Sequence, residues 1–554
     1  MATRDVTLRD MLHRAADWFP QGERVVDELF RYTYPQLRAQ VQRCAALYHA
    51  LGVRKGDRVA LLTVGSVQHV VALFGAFEIG AIPSALHVRE SVGTLSAVLT
   101  ELSPRVLVYD GAFAELADQL RMRNPLITGF VRVVSPHTPP EARDAGADLI
   151  LPRDLERYRL DFEPMDIHEH DLAIIALSSG TTGLPKGVMH SNRTLMESAR
   201  GGSYLWRMMP SDAMCNMMST AFIGWYNVTL PVINAGGKVV FLPHWDPRRF
   251  LEAVQNERCT HAFLAPTMWR MLLRHGLDGF DLSSITSAGF AGEPMDTATL
   301  REIKARVSPN IFNIYGSTES GSCSAGTVMF PSDLEDEARI DSVGRPMLNG
   351  DVRVIKPGGT ADDVLPPGEE GEVLIRGPSV AVGFWYRPSL ARKVFEGPWW
   401  HSGDMGVIDA DRYVYLRGRI DDMIISGGIN ILPSAVEDAV MRHPAVAEAA
   451  VIGIPDDLKG QALAAFVTPR MGVTADDKLA AELRRHVAEK IGPIARPEKI
   501  FFTAELPKTR SAKIMRRLLR DIAEGRVLGD TTTLTDPAVL DEIKQNYMSR
   551  EAGD

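Results

Sequence analysis

Ten residues at 178–187 could bind phosphate groups. They include three glycines, four hydroxyl side chains and one lysine, and they follow an apolar run at 172–176 that predicts a short buried strand. Glycines let backbone amides approach an anion closely, hydroxyls donate hydrogen bonds, and Lys186 adds a positive charge. The Walker loop has a different pattern, because it places its lysine directly after a glycine and a Ser or Thr after the lysine. We therefore predict a phosphate-binding loop of another type.

A second segment, 313–321, could bind a nucleotide. It places the aromatic ring of Tyr315, several hydroxyls and the carboxylate of Glu319 around glycines. A nucleotide site needs a ring that packs on the base, a hydroxyl that donates to a phosphate and a hard oxygen ligand for Mg²⁺. The alternative interpretation is a capped turn with a surface glutamate. The phosphate-binding loop upstream favours the nucleotide site.

Three further segments contain residues that could take part in the same chemistry. A small-residue turn occupies 287–294, a glycine-containing turn at 399–406 carries the single carboxylate of Asp404, and six basic residues lie between 508 and 520. Composition alone predicts a tight connection for the first and the solvated start of a helix for the last. None of the three identifies a function by itself.

Together these segments resemble the signatures of the adenylate-forming enzymes, the superfamily of acyl-CoA synthetases, luciferases and peptide-synthetase adenylation domains. They occur in the order typical of that superfamily and extend over most of the chain. The resemblance implies that ATP binds to both loops, to the Gly-Glu-Pro turn and to the segment around Asp404. The residues it assigns to ATP are Ser178, Ser179, Gly180, Thr181, Thr182, Gly183, Lys186, Gly292, Glu293, Pro294, Asn313, Tyr315, Gly316, Asp404 and Arg419.

The resemblance also implies roles at the reacting phosphate. Tyr315 would lie along the adenine, Thr318 would bond the α-phosphate, and Glu319 would hold the magnesium ion. Asp404 would accept both ribose hydroxyls, which suits a side chain that only accepts hydrogen bonds. Lys513 corresponds to the catalytic lysine, so the expected catalytic residues are Lys513, Thr318 and Glu319.

In that resemblance the acyl group lies in a tunnel whose wall corresponds to 214–230. This segment is rich in methionine and aromatic residues, which on general grounds belong to a core more often than to a ligand pocket. Many fatty-acyl members carry a Phe-His pair here, whereas Phe222 is followed by Ile223. The departure argues against an ordinary long-chain substrate, and the bulky Trp225 favours a bounded pocket for a short-chain, medium-chain or aromatic acid. The expected lining residues are Phe222, Trp225, Tyr226, Ala288, Gly289 and Gly321.

The resemblance predicts an α/β fold in two parts: a large N-terminal domain of mixed sheets with flanking helices at 1–420, and a small, mobile C-terminal α+β domain at 421–554. Strand and helix patterns alternate up to about residue 170, which predicts a parallel sheet with helices on its faces. Asp421 would lie at the hinge between the domains. Gly427 and Gly428 would line the route of the CoA thiol.

The activity implied is that of an ATP-dependent carboxylic acid–CoA ligase that uses ATP, Mg²⁺ and coenzyme A. Three alternatives share the motifs: an acyl-AMP ligase that loads a carrier protein, a luciferase-like oxidase and a non-catalytic member. A non-catalytic member would be expected to lose Lys513, Glu319 or Asp404, and all three are present. An amino-acid adenylation domain is disfavoured, because 219–230 contains no acidic residue to hold an ammonium group.

Length and composition limit the class of protein and its partners. The 554 residues are too many for one core, and the net charge of −9 argues against a nucleic-acid partner. The four cysteines lack metal-ligand and disulfide spacing, which fits a reducing cytoplasm. The apolar region at 70–88 is interrupted by Glu78, Gly80 and Pro83, so no integral membrane segment is expected. The expected partners are a small carboxylic acid and CoA, with a homodimer as the default assembly.

Overall fold

The computed structural model describes residues 5–144, 148–159, 165–178, 184–508, 514–526 and 538–551. It has the predicted α/β class, with several mixed sheets and flanking helices in a large N-terminal domain and a smaller C-terminal domain. The boundary between residues 420 and 421 stays a prediction. The helices are Leu8–Trp18, Tyr34–Ala50, Val67–Glu78, Val92–Leu102, Ala114–Arg123, Asn192–Leu205, Ile223–Ala235, Pro247–Glu257, Pro266–His275, Thr297–Arg306, Pro388–Val394, Pro433–Met441, Asp477–Lys490, Arg516–Ala523 and Ala538–Glu551.

The first sheet has nine strands, and its central part is parallel. The five central strands run from Lys238–Phe241 to Ile311–Tyr315, and all their pairings are parallel. Because the carboxyl ends of parallel strands share one edge of the sheet, the loops that follow these strands lie at the same edge. In spatial order the strands are Arg345–Pro346, Thr327–Met329, Ile311–Tyr315, Ser287–Ala291, His261–Phe263, Ala213–Asn216, Lys238–Phe241, Val25–Val26 and Arg31–Tyr32.

The second sheet confirms the prediction of a parallel sheet in the first 170 residues. All four of its strand pairings are parallel, and the helix Val67–Glu78 is buried along its whole length in the core that joins this sheet to the first. Residues of that helix are apolar on nearly every side, as expected for a helix enclosed by protein. The strands in order are Ile82–Ala85, Arg58–Leu62, Val106–Asp110, Gly129–Val133 and Leu149–Leu151.

Two antiparallel sheets complete the N-terminal part. Leu172–Ser178 and Lys186–Ser191 pair as antiparallel neighbours, and Gly383–Phe384 adds a third strand. The other sheet has five strands, which are Asp351–Ile355, Glu370–Arg376, Trp399–Ile408, Phe395–Glu396 and Val414–Arg419.

The prediction of a turn at 399–406 is wrong, because these residues form most of the strand Trp399–Ile408. Gly403 adopts a φ of 69° there, and the register with Val414–Arg419 shifts between Met405 and Gly406. A strand with a glycine irregularity has the composition of a turn, which explains the error.

The smaller C-terminal part is built on one sheet. Its long central hairpin joins Val446–Asp456 to Gly460–Pro469, and two short strands, Ile424–Ser426 and Ile429–Ile431, form a second hairpin beside it. Lys499–Phe502 pairs in parallel with the outer side of Gly460–Pro469. Helices cover both faces of this sheet, and each face has its own apolar cluster. No helix within the described ranges has the length and apolar composition needed to cross a membrane.

Two histidines are fully buried in the large domain. Burial lowers the pKa of His69 to about 3 and that of His190 to about 4, the latter despite the hydrogen bond to the Thr318 carbonyl. Both imidazoles are therefore neutral in the folded protein near pH 7, and their usual pKa near 6.5 returns when the chain unfolds.

We expect the free energy of unfolding to fall as the pH drops from about 6.5 towards 4. In that window the unfolded chain binds protons that the folded chain excludes. Each of the two histidines should therefore lower the free energy of unfolding by about 2 kcal/mol at pH 5 relative to pH 8. Denaturant unfolding at several pH values measures this loss. His190→Gln should reduce the pH dependence, and a slope equal to that of the wild type would contradict the prediction.

Candidate active site

The structure brings Tyr315, Asp404 and Arg419 into direct contact. Tyr315 Oη donates to Asp404 Oδ2 over 2.5 Å, and Arg419 Nη1 donates to Asp404 Oδ1 over 2.7 Å. Asp404 and Arg419 face each other on paired antiparallel strands, while Tyr315 ends a strand of the nine-stranded sheet. Each carboxylate oxygen keeps a further lone pair, so Asp404 can still accept two hydroxyl donors.

The electrostatics of this contact keep the phenol neutral and the guanidinium charged. Burial, followed by the neighbouring Asp404, raises the pKa of Tyr315 well above its usual value. Burial lowers the pKa of Arg419, but the charge of Asp404 and its hydrogen bond outweigh burial, so the pKa is raised overall. A permanently charged guanidinium and a phenol donor thus fix the orientation of one carboxylate.

The loop after Tyr315 is held by its own serines. Ser317 Oγ accepts hydrogen bonds from the backbone N–H groups of Glu319 and Ser320, over 3.0 and 3.3 Å, and donates to Glu319 Oε2 over 2.9 Å. The Glu319 carbonyl accepts from the N–H of Ala381 over 2.8 Å. The predicted catalytic residues Thr318 and Glu319 therefore lie on a loop with a defined backbone and one restrained carboxylate.

His190 connects this loop to the strand that follows the predicted phosphate-binding loop. It lies on Lys186–Ser191, and its Nε2 is 2.8 Å from the carbonyl oxygen of Thr318. Because a carbonyl only accepts, Nε2 carries the proton and donates it. Nδ1 lies 3.1 Å from Thr194 Oγ1. The neutral imidazole thus fixes Thr318 relative to the strand that begins with Lys186.

The described ends of the predicted phosphate-binding loop face each other. Ser178 and Lys186 are register partners in the antiparallel pair. The Cβ of any other residue at Gly187 would come within 2.7 Å of the Ile175 side chain, so this position requires glycine for close packing. The remaining residues predicted here lie outside the described residues, and they are Ser179, Gly180, Thr181, Thr182 and Gly183.

Glu293 is engaged in contacts at a helix terminus. Its carboxylate accepts from the N–H and hydroxyl of Thr267, over 3.2 and 3.1 Å, and from Arg270 over 3.2 Å. These bonds cap the helix Pro266–His275. Gly292 and Pro294 on either side are exposed, and Asn313 is half-buried on the adjacent strand Ile311–Tyr315, beside Phe290.

The predicted acyl-pocket residues on the tunnel-wall segment differ in exposure. Trp225 and Tyr226 are fully buried on the helix Ile223–Ala235. The Trp225 ring stacks on Phe241 with centroids 5.7 Å apart. Phe222 precedes the helix and is 40% exposed, with its ring centroid 5.2 Å from that of His87. Of these three side chains, Phe222 alone is accessible to a ligand in this conformation.

The other three predicted pocket residues do not share one face. Ala288 and Gly289 alternate on their strand, so they point to opposite sides of the sheet. Gly289 lies in one row with Phe263 and Phe312, and a Cβ at Gly289 would come within 2.8 Å of both rings. Gly321 lies elsewhere, where a Cβ would approach the Ser379 carbonyl oxygen to 2.5 Å. The aromatic rings therefore fill the space above Gly289.

Residues predicted for the hinge and for CoA lie before and after the short strand Ile424–Ser426. Asp421 lies in the turn Ile420–Asp422. Gly427 and Gly428 form the exposed tip of a hairpin with φ values of 56° and 79°. Beside this tip is a cavity of about 430 Å³, which is lined by Ser426, Lys459, Ala462, Leu463, Pro493, Ile494, Arg496 and Glu498. Lys513 lies outside the described residues.

Two residues that hold the candidate site were missed by the sequence analysis. Ser317 was included only as part of the segment 313–321, and its position next to Thr318 and Glu319 was the available signal. His190 is a polar residue on a short, mostly buried strand, and such a residue in a core requires a hydrogen-bond partner. Its spacing from Lys186 alone gave no indication that the partner is Thr318.

Comparison with known proteins supports the same family. A model of the AMP-binding enzyme family matches residues 12–385, and a model of the AMP-binding enzyme C-terminal domain matches 435–513. The acetyl-coenzyme A synthetase of Gemmatimonas aurantiaca is 32% identical, and the match covers 94% of this chain and 84% of that protein.

Solved structures of the same kind share the whole fold. The anthranilate CoA ligase AuaEII in complex with anthranoyl-AMP is 26% identical, with a TM-score of 0.81 over 94% of this chain and 98% of that one. ATP-bound MatB from Rhodopseudomonas palustris is 25% identical, with a TM-score of 0.80 over 93% of this chain and 99% of that one. On the fold, the contacts around Asp404 and both family models, this chain belongs to the AMP-binding enzyme family of adenylate-forming acyl-CoA synthetases and ligases.

Proposed function

We propose that this chain, an AMP-forming acid–thiol ligase by family, activates a short-chain, medium-chain or aromatic carboxylic acid and transfers the acyl group to coenzyme A. The observation that carries the proposal is the contact of Tyr315 and Arg419 with Asp404, beside the ordered loop that bears Thr318 and Glu319. This arrangement offers a carboxylate for the ribose, a neighbouring hydroxyl for the α-phosphate and a second carboxylate for the magnesium ion of the same nucleotide.

Activation by ATP gives the acyl group a good leaving group, because a free carboxylate would have to expel oxide. In the first step a carboxylate oxygen of the acid attacks the α-phosphorus of ATP, the bond to the bridging oxygen breaks, and pyrophosphate leaves with the electron pair. In the second step the CoA thiol attacks the acyl carbonyl of the acyl adenylate, loses its proton, and AMP leaves. Both steps need charge neutralisation and alignment more than acid–base catalysis.

Each proposed residue has one task in these two reaction steps. Asp404 and Arg419 hold the ribose, and Tyr315 lies against the adenine. The Thr318 hydroxyl donates to the α-phosphate, and Lys513 places positive charge beside the same group during the first step. The segment 178–186 binds the β- and γ-phosphates that leave as pyrophosphate.

Glu319 has the chemistry of a magnesium ligand. Mg²⁺ in nucleotide sites is held by one or two carboxylates together with substrate phosphates and water, so a single half-buried carboxylate beside the phosphate-binding residues fits it. Within the described ranges no group of three or more His, Cys, Asp or Glu side chains could hold a metal ion. Bound there, Mg²⁺ supplies positive charge to the triphosphate.

A bounded acyl pocket is supported by the packing of its proposed wall. The Trp225 ring packs against Tyr226 and Phe241, and Phe263 and Phe312 cover Gly289. A long chain that extended past this wall would have to displace these rings. The relatives named for acetate and anthranilate activation agree with a short-chain or aromatic acid.

Coenzyme A as the acceptor is supported by the exposed tip Gly427–Gly428 and the cavity beside it. Lys459 and Arg496 give the cavity two cationic side chains, although Lys459 also pairs with Glu498 over 3.0 Å. Phosphate groups of CoA are suitable ligands for such cations. We further propose that the domains at 1–420 and 421–554 move about Asp421 between the two steps, so that the tip replaces Lys513 at the adenylate.

The surroundings of the enzyme follow from the same proposal. All four cysteines are buried free thiols, which suits a reducing cytoplasm. The partners would be the acid and CoA, without nucleic acid or an integral membrane segment, and the chain would assemble as a homodimer.

Release of pyrophosphate from ATP tests the proposed function directly. We expect release that requires one class of acid and CoA together, in a panel from acetate to palmitate that includes benzoates and phenylacetates. Product analysis should show the acyl-CoA. CoA-independent release would point to a carrier protein as the acceptor, light or oxygen uptake would indicate the luciferase-like alternative, and no release with any acid would contradict the proposal.

Lys513→Ala should abolish adenylation while leaving transfer from a supplied acyl adenylate largely intact, because the lysine acts at the α-phosphate only. Single-turnover assays of the two half-reactions separate these effects. Lys490→Ala removes a positive charge from an exposed position in the same part of the chain and should change neither step. Normal overall turnover of the Lys513 variant would exclude the catalytic role.

Gly428→Trp should have the opposite effect, with normal formation of adenylate and loss of transfer to CoA. A Cβ at Gly428 meets no atom within 4 Å, so the indole projects into the proposed route of the thiol. Gly472→Trp is the matched control, because that glycine has a similar φ of 86° and equal space in the same part of the chain. Unimpaired transfer in the Gly428 variant would show that the route lies elsewhere.

A further inference from the structure

We propose that Ser317 is a positioning residue that presents the Glu319 carboxylate to the metal ion of the nucleotide. The inference rests on the proposed function, because it takes Glu319 as the magnesium ligand. It adds a residue whose hydroxyl acts on that ligand and touches neither ATP nor the acid.

The hydrogen bonds at Ser317 direct its hydroxyl proton towards the Glu319 carboxylate. The carboxylate of Glu319 only accepts, so Ser317 is the donor in the 2.9 Å contact with Oε2. Ser317 Oγ itself accepts from the N–H groups of Glu319 and Ser320. Two backbone donors therefore occupy the lone pairs of Ser317 Oγ and direct its proton towards the carboxylate.

This contact restrains the one glutamate side chain that must meet a cation. A free glutamate samples many rotamers, and ordering it on binding costs affinity. The hydrogen bond engages Oε2, and no hydrogen bond from a described residue ends on Oε1, which is left to bind the metal. Hydrogen bonds to a ligating carboxylate of this kind orient the ligand and tune its affinity for metal.

Two neighbouring serines serve as controls for Ser317, because their hydroxyls bond to the backbone and not to the Glu319 carboxylate. Ser320 Oγ and Ser322 Oγ both donate to the Ser317 carbonyl, each over 3.2 Å. Ser320 is fully buried and Ser322 is half-buried. Removing the Ser322 hydroxyl therefore perturbs the same loop without touching the carboxylate.

The test measures binding of Mn²⁺, as a probe for Mg²⁺, in the presence of a non-hydrolysable ATP analogue, by the electron paramagnetic resonance of the free ion. We expect Ser317→Ala to weaken Mn²⁺ binding about tenfold and Ser317→Thr, which keeps the hydroxyl, to restore it to within about twofold. Ser322→Ala should bind Mn²⁺ like the wild type. At saturating metal the KM for ATP should be unchanged in Ser317→Ala. Melting temperatures confirm that each variant is folded.

The outcomes separate the inference from the proposed function. Mn²⁺ binding by Ser317→Ala that equals or exceeds the wild type would overturn the positioning role, and so would an equal loss in the Thr and Ala variants. Glu319→Gln serves as the reference for loss of the ligand. Unchanged Mn²⁺ binding in that variant would show that Glu319 is not the metal ligand, which would refute the metal assignment of the proposed function itself.

Discussion

The organisation of the candidate site depends on one shared carboxylate. Asp404 receives hydrogen bonds from Tyr315 on the nine-stranded sheet and from Arg419 on the five-stranded antiparallel sheet. These strands come from separate layers of the N-terminal part, and a charged group accepting from both fixes their separation more strongly than neutral contacts would. Because Tyr315 is also the residue before the loop that carries Thr318 and Glu319, the same contact sets where that loop begins.

Much of this fold could be predicted from the sequence, since strand and helix patterns are local properties. The parallel sheet of the first 170 residues follows from their alternation, and the segment at 313–321 does begin at a strand end. Prediction failed at 399–406, where glycines and polar residues have the composition of a turn but form a strand. Pairing with 370–376 and 414–419 decides that outcome, and pairing is not encoded in the segment alone.

For the candidate site, too, residue types could be predicted from local patterns, whereas contacts between distant segments could not. Resemblance named Tyr315, Asp404 and Arg419, and the structure brings these three together. It could not show that the Phe263 and Phe312 rings cover Gly289, because that depends on which strands pair with Ser287–Ala291. Nor could it find His190, whose partner Thr318 is 128 residues away along the chain. Local patterns thus identify residue types, whereas hydrogen bonds between distant segments depend on the assembled fold.

The position of the proposed phosphate-binding segment accounts for its many hydroxyl side chains. A Walker loop leads from a strand into a helix, and the helix N-terminus provides part of the positive potential for the phosphates. Here the flanking strands Leu172–Ser178 and Lys186–Ser191 are antiparallel neighbours, so the segment joins two strands and has no helix directly after it. Its side chains and backbone amides must therefore supply the donors themselves. Four hydroxyls and Lys186 within ten residues meet that requirement, and His190 links the second strand to Thr318 at the proposed α-phosphate site.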